Sequence, residues 1–165
     1  MRWCKKKRVA TGGVAGAALL IALPFIILRE GESLEAYKDV VGVWTICHGE
    51  THGVTEGMVK TKAECDAMSK SRIGEFMSNV QALIKVPVTA HVLAAHTSFA
   101  YNIGVGGYSR STTLKRTNAG DIKGGCEAML LWFKAGGKDC RPRRSGCWGV
   151  YKRRQDEVAL CLSGL

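Results

Sequence analysis

Acidic residues are scarce in this chain. Fourteen Asp and Glu stand against 24 Lys and Arg, giving a formal net charge of +10 over 165 residues. That balance suits an anionic partner such as nucleic acid, acidic phospholipid or the acidic peptides of a bacterial wall, and charge alone does not choose among them. Aromatic residues are also few, at 7%. They do not interleave with the basic groups and no nucleic-acid-binding module is present, so the chain is expected to bind no nucleic acid. The order His-Glu-x-x-His is missing. His48 and His52 stand four apart, but Gly49 and Gly53 argue against a helix there, so no metal is expected. No strand precedes Gly12, Gly13 and Gly16, which excludes a dinucleotide loop and leaves a face of small residues that lets helices approach in a membrane.

What is present centres on Glu30 to Thr45 (Glu-Gly-Glu-Ser-Leu-Glu-Ala-Tyr-Lys-Asp-Val-Val-Gly-Val-Trp-Thr). The expected structure is a short helical turn with Leu34 inward, then Asp39, then a β-prone run ending at Thr45. Glycosidic cleavage requires one carboxylic acid to protonate the leaving oxygen and a second carboxylate across the bond to act on water or sugar. An acid on a helix and another at the start of the following strand can face each other across a groove. Acids at a helix start, as with Glu32 and Glu35, are otherwise a solvated, dipole-friendly terminus.

The pattern of Glu30, eight residues, Asp39, five residues and Thr45, with Glu30-Gly31, Tyr37-Lys38-Asp39 and Gly42-x-x-Thr45, resembles the lysozymes of the T-even phage type, the endolysins of glycoside hydrolase family 24. The resemblance implies Glu30 as general acid, with Asp39 and Thr45 placing or activating the attacking water. It also implies inversion, a β-1,4 bond between N-acetylmuramic acid and N-acetylglucosamine as substrate, and no cofactor. Further blocks extend it to about Leu162: Ser98 to Gly104, Ser111 to Leu114, Ala135 to Lys138 and Gly149 to Glu157 with its paired arginines. Asn102 is expected near the cleft floor, and His48 in substrate contact or in a plain loop.

Ahead of this domain, Lys5-Lys6-Lys7-Arg8 precedes an uncharged run from Val9 to Leu28. As a helix these twenty residues span roughly 30 Å and just cross a bilayer core, with the basic flank cytoplasmic. The first half is poor in apolar area and the second contains Pro24, so the anchor is marginal. A cleavable leader fits poorly, because the nearest small-x-small site, Gly31-x-Ser33, removes Glu30 with it. A permanent anchor holds Glu30 at the membrane surface, away from Asp39 and Thr45. The remaining reading is a segment that tethers an inactive enzyme, then leaves the bilayer and lets Glu30 take its place, which resembles the signal-anchor-release endolysins in character rather than in fixed residues.

The expected fold is α+β and mainly α: a lysozyme-like, two-lobed domain with a small β-hairpin lobe and a helical C-terminal lobe over 29–165, after an anchor helix over 1–28. Thr61-Lys62-Ala63-Glu64 predicts a capping box opening a long helix that joins the lobes. Val88 to Tyr101 predicts an apolar helix whose His91 and His96 are structural. Seven cysteines point to an oxidising compartment and leave one thiol over. Cys140 and Cys147 are close enough to staple a basic loop. Cys47, Cys65, Cys126 and Cys161 are either structural, or Cys4 exchanges with a disulfide at Cys47 once the anchor is released. The whole implies a monomeric endolysin that acts on peptidoglycan, held first at the host inner membrane and later soluble in the periplasm. A membrane-anchored peptidoglycan-binding protein without catalysis is the alternative.

Overall fold

In the computed structural model, which describes residues 11–39 and 41–165, the apolar N-terminal run folds as helix α1, Thr11–Glu30. The helix lies against the body of the protein. Ala18, Ala22 and Ile26, spaced four apart on one face, are fully or almost fully buried in the main core, as the 3.6-residue period requires. The boundary expected between residues 28 and 29 therefore falls inside α1. Cys4 and the basic flank from Lys5 to Arg8 lie outside the described residues.

Gly31, at φ 72°, ends α1 in a left-handed turn that a side chain would resist. The chain then runs as strand β1, Ser33–Lys38, antiparallel to β2, Trp44–Cys47, with Ser33 opposite Cys47 and Tyr37 opposite Thr45. This corrects the expected helical turn, and Leu34 is 38% exposed rather than inward. The reason is tertiary. Both edges of β1 are occupied, because Ala36 N–H donates to Met58 O and Lys60 N–H donates to Leu34 O on the side away from β2. On that outer side Glu35 forms a bridge to Val59, while Glu50 folds back on Ile46. A small core of Ile46, Cys47 and Cys65 fills this lobe.

Helix α2, Lys62–Leu83, joins the lobes and opens on the predicted capping box: Thr61 accepts from Glu64 N–H while the Glu64 carboxylate accepts from Thr61 N–H. Its buried stripe is Cys65, Ser69, Ile73, Met77 and Val80. Met68 and Phe76 flank it half-buried. Helix α3, Ala90–Ile103, is the central helix of the large lobe, buried from Val92 to Ala100. Short helices α4 (Val105–Ser109), α5 (Thr112–Asn118) and α6 (Ile122–Glu127) follow, with Ser111 capping α5 and Asp121 capping α6. A 3-10 turn, Ala128–Leu131, then leads into a hairpin of β3 (Lys134–Ala135) and β4 (Lys138–Asp139). Helix α7, Trp148–Leu162, closes the lobe against α3.

Six cysteines pair as Cys47–Cys65, Cys126–Cys161 and Cys140–Cys147. The first ties β2 to α2, the second ties α6 to α7, and the third staples the basic loop as expected.

Candidate active site

Glu30 is the last residue of α1, a quarter exposed, and its Oε1 accepts from Arg153 Nη1 at 2.7 Å. Arg153 lies on α7 and is 8% exposed. Its Nε donates to Glu157 Oε1 at 3.2 Å, so one guanidinium spans two carboxylates. Glu157 is fully buried, accepts from Ser98 Oγ at 2.7 Å, and has a raised pKa from burial, opposed by Arg154, Ser98 and Arg153. Arg154 is fully buried, and burial lowers its pKa to about 10 against the pull of Glu157. Its Nη2 donates to Asn102 Oδ1 at 2.6 Å and its guanidinium stacks 4.9 Å over Phe99. The paired arginines therefore support Glu30 on one side and Asn102 on the other.

One residue before Glu30, Arg29 donates to Asp156 Oδ2 at 3.0 Å. The C-terminal end of α1 is thus fastened to α7 by two adjacent ion pairs. Beside them an open groove of about 600 Å³ is lined by Leu28, Arg29, Asn102, Trp148, Lys152 and Arg153 among others.

Asp39 lies at the tip of the hairpin. Its Oδ1 accepts from Val41 N–H at 3.0 Å and Val43 N–H at 2.9 Å, which holds the turn closed. Thr45, opposite Tyr37 on β2, is buried, and its Oγ1 donates to Val43 O at 3.1 Å. The turn and the hydroxyl are therefore fixed to the same residue, Val43. Burial raises the pKa of Tyr101 on α3, and the carboxylates of Glu30 and of Glu50, the residue folded back on β2, raise it further. Arg72 and Arg153 oppose that effect.

His48 is 4% exposed, with Nδ1 and Ser69 Oγ hydrogen-bonded at 2.8 Å. Contact with sugar does not follow from where this ring lies. Asn102, by contrast, is exposed on the groove. Cys47 is paired with Cys65, and an exchange with Cys4 falls outside the described residues. Sequence reasoning did not assign roles to Arg153, Glu157, Tyr101 or Glu50. The only signal for the first two was the Arg-Arg-Gln-Asp-Glu run on α7.

The phage lysozyme family model matches residues 28–157. The chain belongs to the phage lysozyme family. Within it, a SAR-endolysin of Escherichia phage 933W is 42% identical over 146 residues, 86% of this chain and 82% of that protein. The solved endolysin from the Escherichia coli O157:H7 phage FAHEc1 is 33% identical with a TM-score of 0.74, over 87% of this chain and 92% of that one. The active form of the P1 phage endolysin is 27% identical with a TM-score of 0.73, over 93% and 88% respectively. As a phage lysozyme the chain has the lysozyme-like fold anticipated from its sequence, with a helical large lobe, a small hairpin lobe and an apolar N-terminal helix. The matched region opens inside α1, so the family's likeness takes in the Glu30 end of that helix.

Proposed function

We propose that this phage lysozyme is an endolysin, a muramidase of glycoside hydrolase family 24 with the activity EC 3.2.1.17, which hydrolyses the β-1,4 bond between N-acetylmuramic acid and N-acetylglucosamine. The observation that carries the reading is the placement of a helix-terminal carboxylate, Glu30, held by Arg153 beside an open groove, with Asp39 and Thr45 fixed through Val43 on the adjoining hairpin. Glu30 acts as general acid on the leaving oxygen. Asp39 takes up the proton of a water that Thr45 helps to place, and attack from the opposite face inverts the anomeric centre. Arg153 orients the acid, and Asn102 offers an amide to the polymer in the groove. The likeness to SAR-endolysins supports the lytic role.

The same reading gives α1 two successive positions. Gly13–Glu30 is long and apolar enough to cross a membrane, and in the folded protein that segment supplies Ala18, Ala22 and Ile26 to the core. In the proposed sequence, residues 1–28 first tether the protein to the host inner membrane with 29–165 in the periplasm. Release then docks α1 and delivers Glu30 to the cleft of a soluble monomer. The test is loss of turbidity of outer-membrane-stripped Gram-negative cells with the oxidised full chain and with Glu30→Gln. Clearing by wild type and a rate at least ~100-fold lower for the variant is expected. Binding to wall material by both, with clearing by neither, makes this a wall-binding protein without catalysis.

A further inference from the structure

Three side chains from three different segments converge beneath the small lobe, outside the catalytic constellation. They are Glu32, between α1 and β1, His48, just past β2, and Asp66, in the second turn of α2. One donor atom from each lies within 4.8 Å of the other two. His48 is 96% withdrawn from solvent and its Nδ1 is held by the buried hydroxyl of Ser69. Its Nε2 points at Glu32 Oε1 from 3.6 Å, beyond hydrogen-bond length. A buried imidazole fixed through one nitrogen, with the other unbonded and aimed at carboxylates, is the arrangement found where a second partner orients a histidine toward a metal.

Two backbone features assemble the trio. Cys47 and Cys65, the immediate neighbours of His48 and Asp66, are joined, with Cα atoms 5.0 Å apart. Cys47 adopts φ 58°, unusual for a residue with a side chain. The strand end is buried without alternation, so that His48 follows Thr45, Ile46 and Cys47 as a fourth buried residue in succession. At present the positive charge between the two carboxylates is Lys62, whose Nζ lies 3.0 Å from Glu32 Oε1 and 3.4 Å from Asp66 Oδ1. That side chain is 65% exposed and swings on a flexible stem.

We propose that Glu32, His48 and Asp66 form a site for a zinc-class divalent cation, with one imidazole nitrogen and two carboxylate oxygens as ligands and Lys62 as the cation that yields its place. Imidazole with carboxylate suits zinc, and three protein ligands leave a position for water. Bonds of ~2.0 Å place tetrahedral ligand atoms about 3.3 Å apart, a contraction that the exposed side chains of Glu32 and Asp66 supply by changing rotamer. The ion joins the segment that follows Glu30 to β2 and α2, so its role is to fasten the small lobe to the end of α1.

The experiment is calorimetric titration of ZnCl2 into the oxidised full chain carrying Cys4→Ser, which removes a thiol that binds zinc by itself. Cobalt absorption follows ligand geometry in parallel. One equivalent should bind with micromolar or tighter affinity and raise Tm by about 5 °C at saturating zinc. Glu32→Gln, at an exposed position, and Asp66→Asn, at a half-buried one, should each weaken binding at least tenfold. His48→Gln should abolish the low-coordination cobalt bands. No uptake of one equivalent by the starting protein, or unchanged affinity in both carboxylate variants, overturns the site.

Discussion

Arg153 reaches Glu30 across 123 residues of sequence and holds its carboxylate at 2.7 Å, while the same guanidinium holds buried Glu157. The helix that ends in Glu30 is thereby attached to the last helix of the chain at the point where the chemistry is proposed to occur.

Removing that guanidinium frees Glu30 and leaves buried Glu157 with Arg154 and Ser98 as its partners. Arg153→Ala is expected to cost about 2 kcal/mol of stability through the lost charge-assisted bonds and to lower lytic activity at least ~10-fold through misplacement of Glu30. Arg153→Lys restores charge without the planar fork and should recover stability more than activity. Denaturant unfolding beside turbidity rates separates the two effects.

Asp39 has a structural and a chemical part, and one pair of variants divides them. An amide oxygen accepts from Val41 and Val43 N–H as a carboxylate does, so Asp39→Asn should keep the turn within about 1 kcal/mol while losing most activity. Asp39→Ala should lose both. Full activity in Asp39→Asn removes its proposed role toward water.

The three disulfides close loops of 18, 35 and 7 residues. Loop entropy orders their contributions as Cys126–Cys161, then Cys47–Cys65, then Cys140–Cys147, at about 4, 3 and 2 kcal/mol. Melting of the three paired Cys→Ser variants should follow that order.

His96 is fully buried with Nδ1 on the Tyr108 hydroxyl, and burial lowers its pKa from 6.5 to about 4. Below about 6.5 the unfolded chain gains a proton that the folded chain refuses. The stability tied to this histidine is therefore complete above that pH, falls as pH drops toward 4, and is flat below. The swing is about 3 kcal/mol. Unfolding midpoints from pH 7 to 4 should fall less steeply for His96→Gln than for wild type.

Local chemistry was legible in the sequence. The Thr61–Glu64 capping box depends on neighbours three residues apart, and it stands as expected. The segment Ser33–Lys38 departs from its local propensity, because Leu34, Glu35 and Ala36 suit a helix, whereas pairing on both edges makes them a strand. The catalytic candidates were readable as a spacing, but their supports were not. No spacing announces that Arg153 meets Glu30, that Ser69 turns His48 inward, or which cysteines join across 18 and 35 residues.

Helix α1 keeps Gly13, Gly16, Ala17, Leu20, Pro24 and Leu28 outward and exposed, and Ala18, Ala22 and Ile26 inward. Its two faces therefore answer to different solvents. Under the proposed release, an oilier outward residue lengthens residence in lipid and leaves the docked enzyme nearly untouched, whereas a larger inward residue clashes with the core. On that proposal, drift along the outward stripe alone resets the time of release, with the proposed catalytic residues held constant.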